Sequence, residues 1–252
     1  HEYFARKLGI NLSYERILCD EDKFEFKLKK FFDSGGLGCN VTLPFKREAF
    51  LFAEEKSDVA KVTGAVNTIS KKNDVFFGDN TDGAGFIRDL KENIKFDITD
   101  KRVLILGAGG ASMGIIPNIF LEKPKILRIF NRTLDNAKIL VERFSSIGNI
   151  NYVDNSDLTE NQFDLVINAT SQGMNQTSFD LPRGIFNDNS IFYDLSYGKA
   201  STNVKNWAAE NNIQFFDGLG MLIEQAADSF LIWEGVRPDI TEELKNILIK
   251  EL

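Results

Sequence analysis

The sequence predicts an α/β protein of two domains, a mixed-sheet domain followed by a Rossmann-like, doubly wound one. Three observations carry that expectation. First, residues 101–134 read KRVLILGAGGASMGIIPNIFLEKPKILRIFNRTL: an apolar run, a glycine loop, a helix-compatible stretch and a second apolar run. That is the first βαβ unit of a dinucleotide-binding fold. Second, strand patterns recur at 102–106, 126–130, 163–168 and 190–194 with helical or loop connections, a spacing that predicts a mostly parallel sheet. Third, the part before Lys101 alternates helix and strand patterns around a short hairpin.

The elements follow in order. Residues 1–9 look helical, Tyr14 to Leu18 look like a strand, and Lys23 to Phe32 carry Phe24, Leu28, Phe31 and Phe32 at helical spacing. Gly35-Gly36 stops that helix, and Leu37 to Thr42 reads as a strand. Pro44 is expected to open the next helix, because proline suits the first helical position. Ala65 to Ser70 and Asp74 to Gly78 are strands around a Lys-Lys-Asn turn. A polar loop through Gly83 precedes a helix to Asn93. After Gly218-Leu219-Gly220 comes a long helix to about Trp233, then another from Asp239. The expected domains are 1–83 with 219–252, and 84–218 between them, with a cleft that admits two ligands.

In the glycine loop, Gly107, Ala108, Gly109, Gly110, Ala111 and Ser112 stand where glycines let a backbone approach a pyrophosphate at a helix N-terminus. The third small position is Ser112, so G-x-G-x-x-G is not met in full. The second strand ends in Asn131-Arg132-Thr133. An acid there would accept from a ribose 2′-hydroxyl; the planar fork of Arg132 suits a 2′-phosphate instead. NADP is therefore expected in preference to NAD.

Composition narrows the partners. The 252 residues carry a net charge of −7 and no basic run, which argues against nucleic acid and anionic membranes. No apolar run reaches the roughly 20 residues of a membrane span. The opening HEYFARKLG is charged and unlike a signal peptide. Cys19 and Cys39 have neither metal nor redox spacing, so a cytoplasmic protein with reduced thiols and no metal is expected. The 22 phenylalanines read as core filler. The only histidine is His1, so in an enzyme proton transfer falls to Lys, Asp, Glu or Tyr.

Three polar clusters stand at strand ends or helix starts: Asn40-Val-Thr42-Leu-Pro-Phe-Lys46, Gly64-Ala-Val-Asn67-Thr68 and Gly78-Asp-Asn80-Thr-Asp82-Gly83. Such ends can converge on one site. Asn40, Thr42 and Asn67 supply the uncharged donors and acceptors that a polyol needs, while Lys46 and Asp82 supply a cation and an anion. Together with GAGGAS, NRT, NATSQG at 168–173 and DGLGMLIEQAA at 217–227, these motifs resemble the shikimate dehydrogenase family over essentially the whole chain, in the family's order.

The resemblance implies NADP-dependent, reversible reduction of 3-dehydroshikimate to shikimate, a step of aromatic amino-acid biosynthesis. It implies that Lys46 is the acid/base and Asp82 its partner. Asn40, Thr42, Asn67 and Gln225 would hold the substrate with them, and Tyr197 would lie near its carboxylate. Gly107 to Ser112, Asn131, Arg132 and Thr133 would hold NADP; Asn168, Ala169, Thr170, Leu195 and Gly218 would lie along the cofactor. Hydride transfer to a ketone leaves a developing alkoxide, which a protonated lysine stabilises and protonates. Two effects oppose each other on that lysine: the following helix N-terminus favours the amine, and a nearby carboxylate favours the ammonium. Each residue also has a purely structural reading: Asp82 as a helix cap, Gln225 as an exposed helix polar residue, Tyr197 and Trp233 as packing aromatics.

Three departures from the family pattern are expected to matter. The family begins with a further strand and an S-x-S-P-like loop whose serines grip the substrate carboxylate, and neither Ser13 nor Ser34 has that context. The chain as given is therefore expected to lack that clamp. Asn136 stands where many NADP-using members carry a second arginine, and SYGKAST around Tyr197 lacks a proline often seen there. The rival readings are a quinate/shikimate dehydrogenase using NAD or NADP, and a non-catalytic dinucleotide-binding regulator. A monomer or homodimer is expected.

Overall fold

The structure, a computed structural model, describes residues 1–158, 161–170 and 180–251. It divides into two compact units, His1–Gly85 with Ile223–Leu248, and Phe86–Leu222 with Ile249–Leu252.

The first unit contains α1 (Glu2–Leu8), α2 (Phe24–Asp33), β1 (Gly38–Asn40), α3 (Lys46–Phe52), β2 (Glu55–Lys56), α4 (Asp58–Thr63), β3 (Thr68–Lys72) and β4 (Val75–Asp79). Its sheet runs β1-β3-β4-β2. β1 with β3 and β3 with β4 are antiparallel, whereas β2 with β4 is parallel, so the sheet is mixed. Lys72 pairs with Val75, leaving Asn73 and Asp74 as a two-residue hairpin loop. Both have positive φ (51° and 62°), the left-handed pair that a type I′ turn requires and Asn and Asp tolerate. The core gathers Leu28, Phe32, Val41, Ala49, Ala60, Val66 and Ile69, ringed by Phe24, Phe31, Phe45, Phe50, Phe52 and Phe76. The phenylalanine-rich composition is spent on packing here.

Two local expectations fail. Tyr14 to Leu18 form no strand; Ile17 is 55% and Leu18 88% exposed. A strand needs a ladder partner, and none of the described strands pairs with this segment. Pro44 does not open α3, which starts at Lys46. The Phe45 amide donates to Thr42 O (3.0 Å), closing a turn before the helix can begin.

The second unit contains β5 (Arg102–Leu106), α6 (Gly110–Leu121), β6 (Ile126–Phe130), α7 (Leu134–Phe144), β7 (Ile150–Val153), α8 (Asn155–Leu158), β8 (Phe163–Asn168), β9 (Phe186–Asp194), α9 (Thr202–Glu210) and β10 (Gln214–Asp217). The six strands are parallel in the order β10-β9-β8-β5-β6-β7, with reversal between β5 and β8, the switch point of a doubly wound sheet. β7 and β10 were not legible as strands: each is four residues long, and its exposed positions blur the pattern. β9 begins at Phe186, before the expected Ser190. One face of the sheet packs Val103, Ile105, Ile129, Leu165 and Ile167 against Ile115, Ile119 and Leu140; the other packs Leu104, Val166 and Phe192 against Val204 and Trp207. A helix that starts at Asp82, α5 (Asp82–Arg88), continues into a π-helical segment, Asp89–Ile94. α10 (Leu219–Glu234) and α11 (Glu242–Glu251) complete the chain.

Polar groups gather at the carboxyl ends of the strands. Asn168 pairs in register with Asp194, and Asp194 with Asp217, forming a polar row across β8, β9 and β10. Asp194 is fully buried; its Oδ1 accepts from Asn168 Nδ2 (3.1 Å) and from the Ser196 amide (3.0 Å), while Oδ2 has no hydrogen-bond partner among the described residues. Burial pushes its carboxyl up to about 6, partly offset by those two donors. In the first unit, buried Glu224 (3% exposed) and Asp228 share Arg237: Nη2 lies 2.5 Å from Glu224 Oε2, and Nε 2.8 Å from Asp228 Oδ1.

Two expected outcomes follow. Arg237→Met leaves two charges without this cation and should lower the unfolding free energy by about 3–5 kcal/mol, read from urea melts; a loss indistinguishable from that of exposed-arginine variants would refute it. The folded-state value of Asp194 lies above its free value of 3.8. Its contribution to stability is thus fully present below about pH 3.8 and lost as pH rises through about 6. The upward shift corresponds to an effect on the order of 3 kcal/mol. Asp194→Asn should flatten the stability profile between about pH 4 and 6 relative to wild type, and parallel profiles would contradict the assignment.

Candidate active site

Lys46 is the first residue of α3 and Asp82 the first of α5. Thirty-six positions apart, they meet: Lys46 Nζ lies 2.6 Å from Asp82 Oδ2, with the two side chains 23% and 14% exposed. Their backbones are pinned separately. Lys46 O accepts from the Val66 amide (2.9 Å), tying α3 to the entry of β3. Asn80 Oδ1 accepts from the Asp82 amide (3.1 Å), and its Nδ2 donates to Ala65 O (3.2 Å). Asn80 thus caps α5, which leaves the Asp82 carboxylate free of that task.

Asn67 orients the carboxylate. It is 3% exposed, and its Nδ2 donates to Asp82 Oδ1 (2.8 Å) and Thr81 Oγ1 (3.0 Å), with Gln225 Oε1 at 3.4 Å. Its Oδ1 accepts from the Thr81 amide (2.9 Å) and Thr68 Oγ1 (2.8 Å). One carboxylate oxygen therefore faces a carboxamide and the other an ammonium. Asn40, Asn67, Asp82 and Gln225 are joined in one hydrogen-bonded network, because Asn40 Nδ2 donates to Ser229 Oγ (2.9 Å) and Ser229 pairs with Thr68 (2.7 Å). Thr42 stays outside it: its side chain is exposed. Trp233 is structural, donating from Nε1 to Ile69 O (3.1 Å). Sequence reasoning missed Thr68, Asn80, Thr81 and Ser229 as members. The first three lie inside the quoted motifs, and Ser229 lies one helical turn beyond Gln225 on the same face, a spacing that could have found it.

The second unit presents the dinucleotide residues. Gly107 ends β5 with φ 103°, and a methyl there would sit 3.0 Å from Ala169 O, so only glycine fits. Ser112, fully buried, donates to Gly107 O (2.8 Å) and braces the loop. Gly109, the N-cap of α6, carries no side chain, and nothing lies within 4 Å of where a methyl would stand. Ala108, Gly110 and Ala111 surround a helix start that has no side-chain cap. Asn131 Oδ1 accepts from the Ala108 amide (3.1 Å), and its Nδ2 donates to Thr133 O (2.7 Å); Arg132 and Thr133 are exposed. Amides at a helix N-terminus and an exposed guanidinium one strand away form the donor set that a pyrophosphate and a 2′-phosphate require.

At the ends of β8 and β9, Asn168 Oδ1 accepts from Thr170 Oγ1 (2.7 Å), the Ala169 amide donates to Leu106 O (2.8 Å), and the Leu195 amide donates to Asn168 O (2.9 Å). The Gly218 amide donates to Ser196 O (2.9 Å). Tyr197, half-buried, also belongs to this unit. The last three residues of NATSQG, Ser171, Gln172 and Gly173, lie outside the described residues.

Chemically, the first unit offers a paired ammonium and carboxylate able to protonate an oxyanion, set among uncharged hydroxyl-binding groups. The second offers a dinucleotide cradle. Known proteins combine the same parts. Family models match in chain order: "Shikimate dehydrogenase substrate binding domain" at residues 1–69, "Shikimate / quinate 5-dehydrogenase" at 89–180 and "Shikimate 5'-dehydrogenase C-terminal domain" at 218–242. Shikimate dehydrogenase (NADP(+)) of Chromobacterium violaceum is 43% identical over 249 residues, covering 98% of this chain and 91% of the relative. That of Vibrio atlanticus is 42% identical over 98% and 90%. Among solved structures, the Listeria monocytogenes shikimate 5-dehydrogenase in complex with shikimate and NAD superposes with a TM-score of 0.88 at 28% identity, covering 98% of this chain and 90% of that one. By sequence, fold and residue content, the chain belongs to the shikimate dehydrogenase family.

Proposed function

We infer that the chain catalyses the reversible, NADP-dependent reduction of 3-dehydroshikimate to shikimate. The 2.6 Å Lys46–Asp82 pair, bound into the Asn67 network, carries this reading. When bound, NADPH supplies the hydride. Lys46 donates its proton to the carbonyl oxygen of the substrate as charge develops there, and Asp82 keeps the ammonium in place and accepts from ring hydroxyls. Asn67, Gln225, Asn40 and Thr42 bind the remaining hydroxyls, and Tyr197 serves the carboxylate end. Gly107, Ala108, Gly109, Gly110, Ala111 and Ser112 take the pyrophosphate, with Asn131, Arg132 and Thr133 on the adenosine side. Asn168, Ala169, Thr170, Leu195 and Gly218 line the nicotinamide side.

The proposed setting is the cytoplasm, as a monomer or homodimer acting on small molecules. Among the described residues no helix is long and apolar enough to cross a membrane. A net charge of −7 disfavours nucleic acid as a partner.

Lys46→Ala should lower kcat by about 10²–10⁴-fold while leaving the NADPH dissociation constant unchanged; near-normal turnover would remove Lys46 from the chemistry. Arg132→Ala should raise KM for NADPH on the order of tenfold and leave KM for NADH unaltered. An equal effect on both nucleotides would reject the 2′-phosphate assignment.

A further inference from the structure

Asp89 is a carboxylate of the second unit that none of the roles above uses. It is 4% exposed and opens the π-helical segment that continues α5. Tyr193 Oη donates to its Oδ2 (2.7 Å), and Asn93 Nδ2 donates to its Oδ1 (2.8 Å). Tyr193 is fully buried, with its ring edge-on to Phe86 at 5.0 Å between centroids. Burial, followed by the Asp89 charge, holds the Tyr193 phenol well above its ordinary range, so the proton stays on Oη and the bond runs one way.

The pair bears on the first turn of α10. The Met221 backbone hydrogen-bonds the Tyr193 hydroxyl. A methyl at Gly220 would lie 1.9 Å from Asp89 Oδ1, so the carboxylate rests directly against a bare Cα. A helix N-terminus also favours a carboxylate electrostatically. Tyr193 is the residue before Asp194, which ends β9 in the middle of the polar row, and the Gly218 amide is bound to Ser196 just beyond it. The backbone from Gly218 to Met221 is therefore held from both sides by β9 and its extension, and by the π-helical segment at one point. Single-turn π distortions in helices recur at functional sites, and here the π-helical segment begins at the residue that reaches α10.

We propose that Asp89 and Tyr193 are a positioning pair that fixes the Gly218–Met221 backbone for the nicotinamide half of the cofactor. The proposal rests on the reading that this unit binds NADP. Neither residue touches the reacting atoms; they act through the turn they hold. A hydride donor misplaced by about 1 Å loses on the order of 10²-fold in rate, so a small shift of this turn has a measurable effect.

The test uses the full chain with Tyr193→Phe, which removes only the hydroxyl, and Asp89→Asn, which retains an acceptor oxygen for Tyr193. Four quantities are read: the urea midpoint, the NADPH dissociation constant from nicotinamide fluorescence without substrate, kcat with its primary deuterium isotope effect from 4-deuterated NADPH, and KM for 3-dehydroshikimate. Tyr193→Phe should stay folded, weaken NADPH, lower kcat by about 10–100-fold with a larger isotope effect, and leave KM for 3-dehydroshikimate unchanged. Asp89→Asn should lose less. A shifted urea midpoint with wild-type NADPH affinity, kcat and isotope effect would reduce the pair to a stabilising contact and overturn the proposal. So would an Asp89→Asn loss exceeding that of Tyr193→Phe. If wild type itself neither binds NADPH nor turns over, the functional reading and the proposal fall together; if wild type does both and Tyr193→Phe matches it in NADPH affinity, kcat and isotope effect, the proposal falls alone.

Discussion

A charge pair only partly open to water is costly unless every lone pair and proton around it is engaged. At the contact between Lys46 and Asp82 the carboxylate side is engaged through Asn67, whose carboxamide donates to Asp82 Oδ1 while its own oxygen is satisfied by Thr81 and Thr68. Three separate chain segments must be in register for this to hold: the start of α3, the entry to β3 and the turn before α5. The hydrogen bonds Val66 N to Lys46 O, Val41 N to Asn67 O and Asn67 N to Asp79 O fasten those segments to one another through backbone alone. The mixed sheet is thus the frame that keeps an ammonium and a carboxylate within contact distance despite their separation in the chain.

The second unit solves the opposite problem, keeping donors open. α6 begins with glycines and without a side-chain cap, so its first amides remain available to an anion. The space is kept by negative features: no side chain at Gly109, and Ser112 turned inward onto Gly107 O. One unit closes its hydrogen bonds around a pair of charges, and the other leaves its bonds unmade where a ligand carries the charge.

Much of this was legible in the residues, and the exceptions have physical causes. The βαβ unit was readable because Val103 to Leu106 is a continuous, fully buried apolar run, followed by a glycine loop and then by Ile126 to Phe130, apolar except for Arg128. The association of Lys46 with Asp82 was readable only through resemblance, since no local pattern connects two helix starts 36 residues apart. Tyr14 to Leu18 misled because aromatic and branched residues report only a preference for extended backbone, whereas pairing is decided by a neighbour elsewhere. Pro44 misled because a turn held by Thr42 O competed for the same residues. Ser229 and Asp89 went unnoticed for a common reason: their importance lies in what they touch across the fold, and neither sits in a motif that announces chemistry.

Arg132 differs from the buried and hydrogen-bonded residues of the candidate site. It is exposed and contributes nothing to the core, whereas Lys46, Asn67, Ser112 and Asn168 are all woven into structural hydrogen bonds. On the reading proposed above, a change of nucleotide preference at the tip of β6 is therefore decoupled from folding, whereas the proposed chemistry at the ion pair is tied to it.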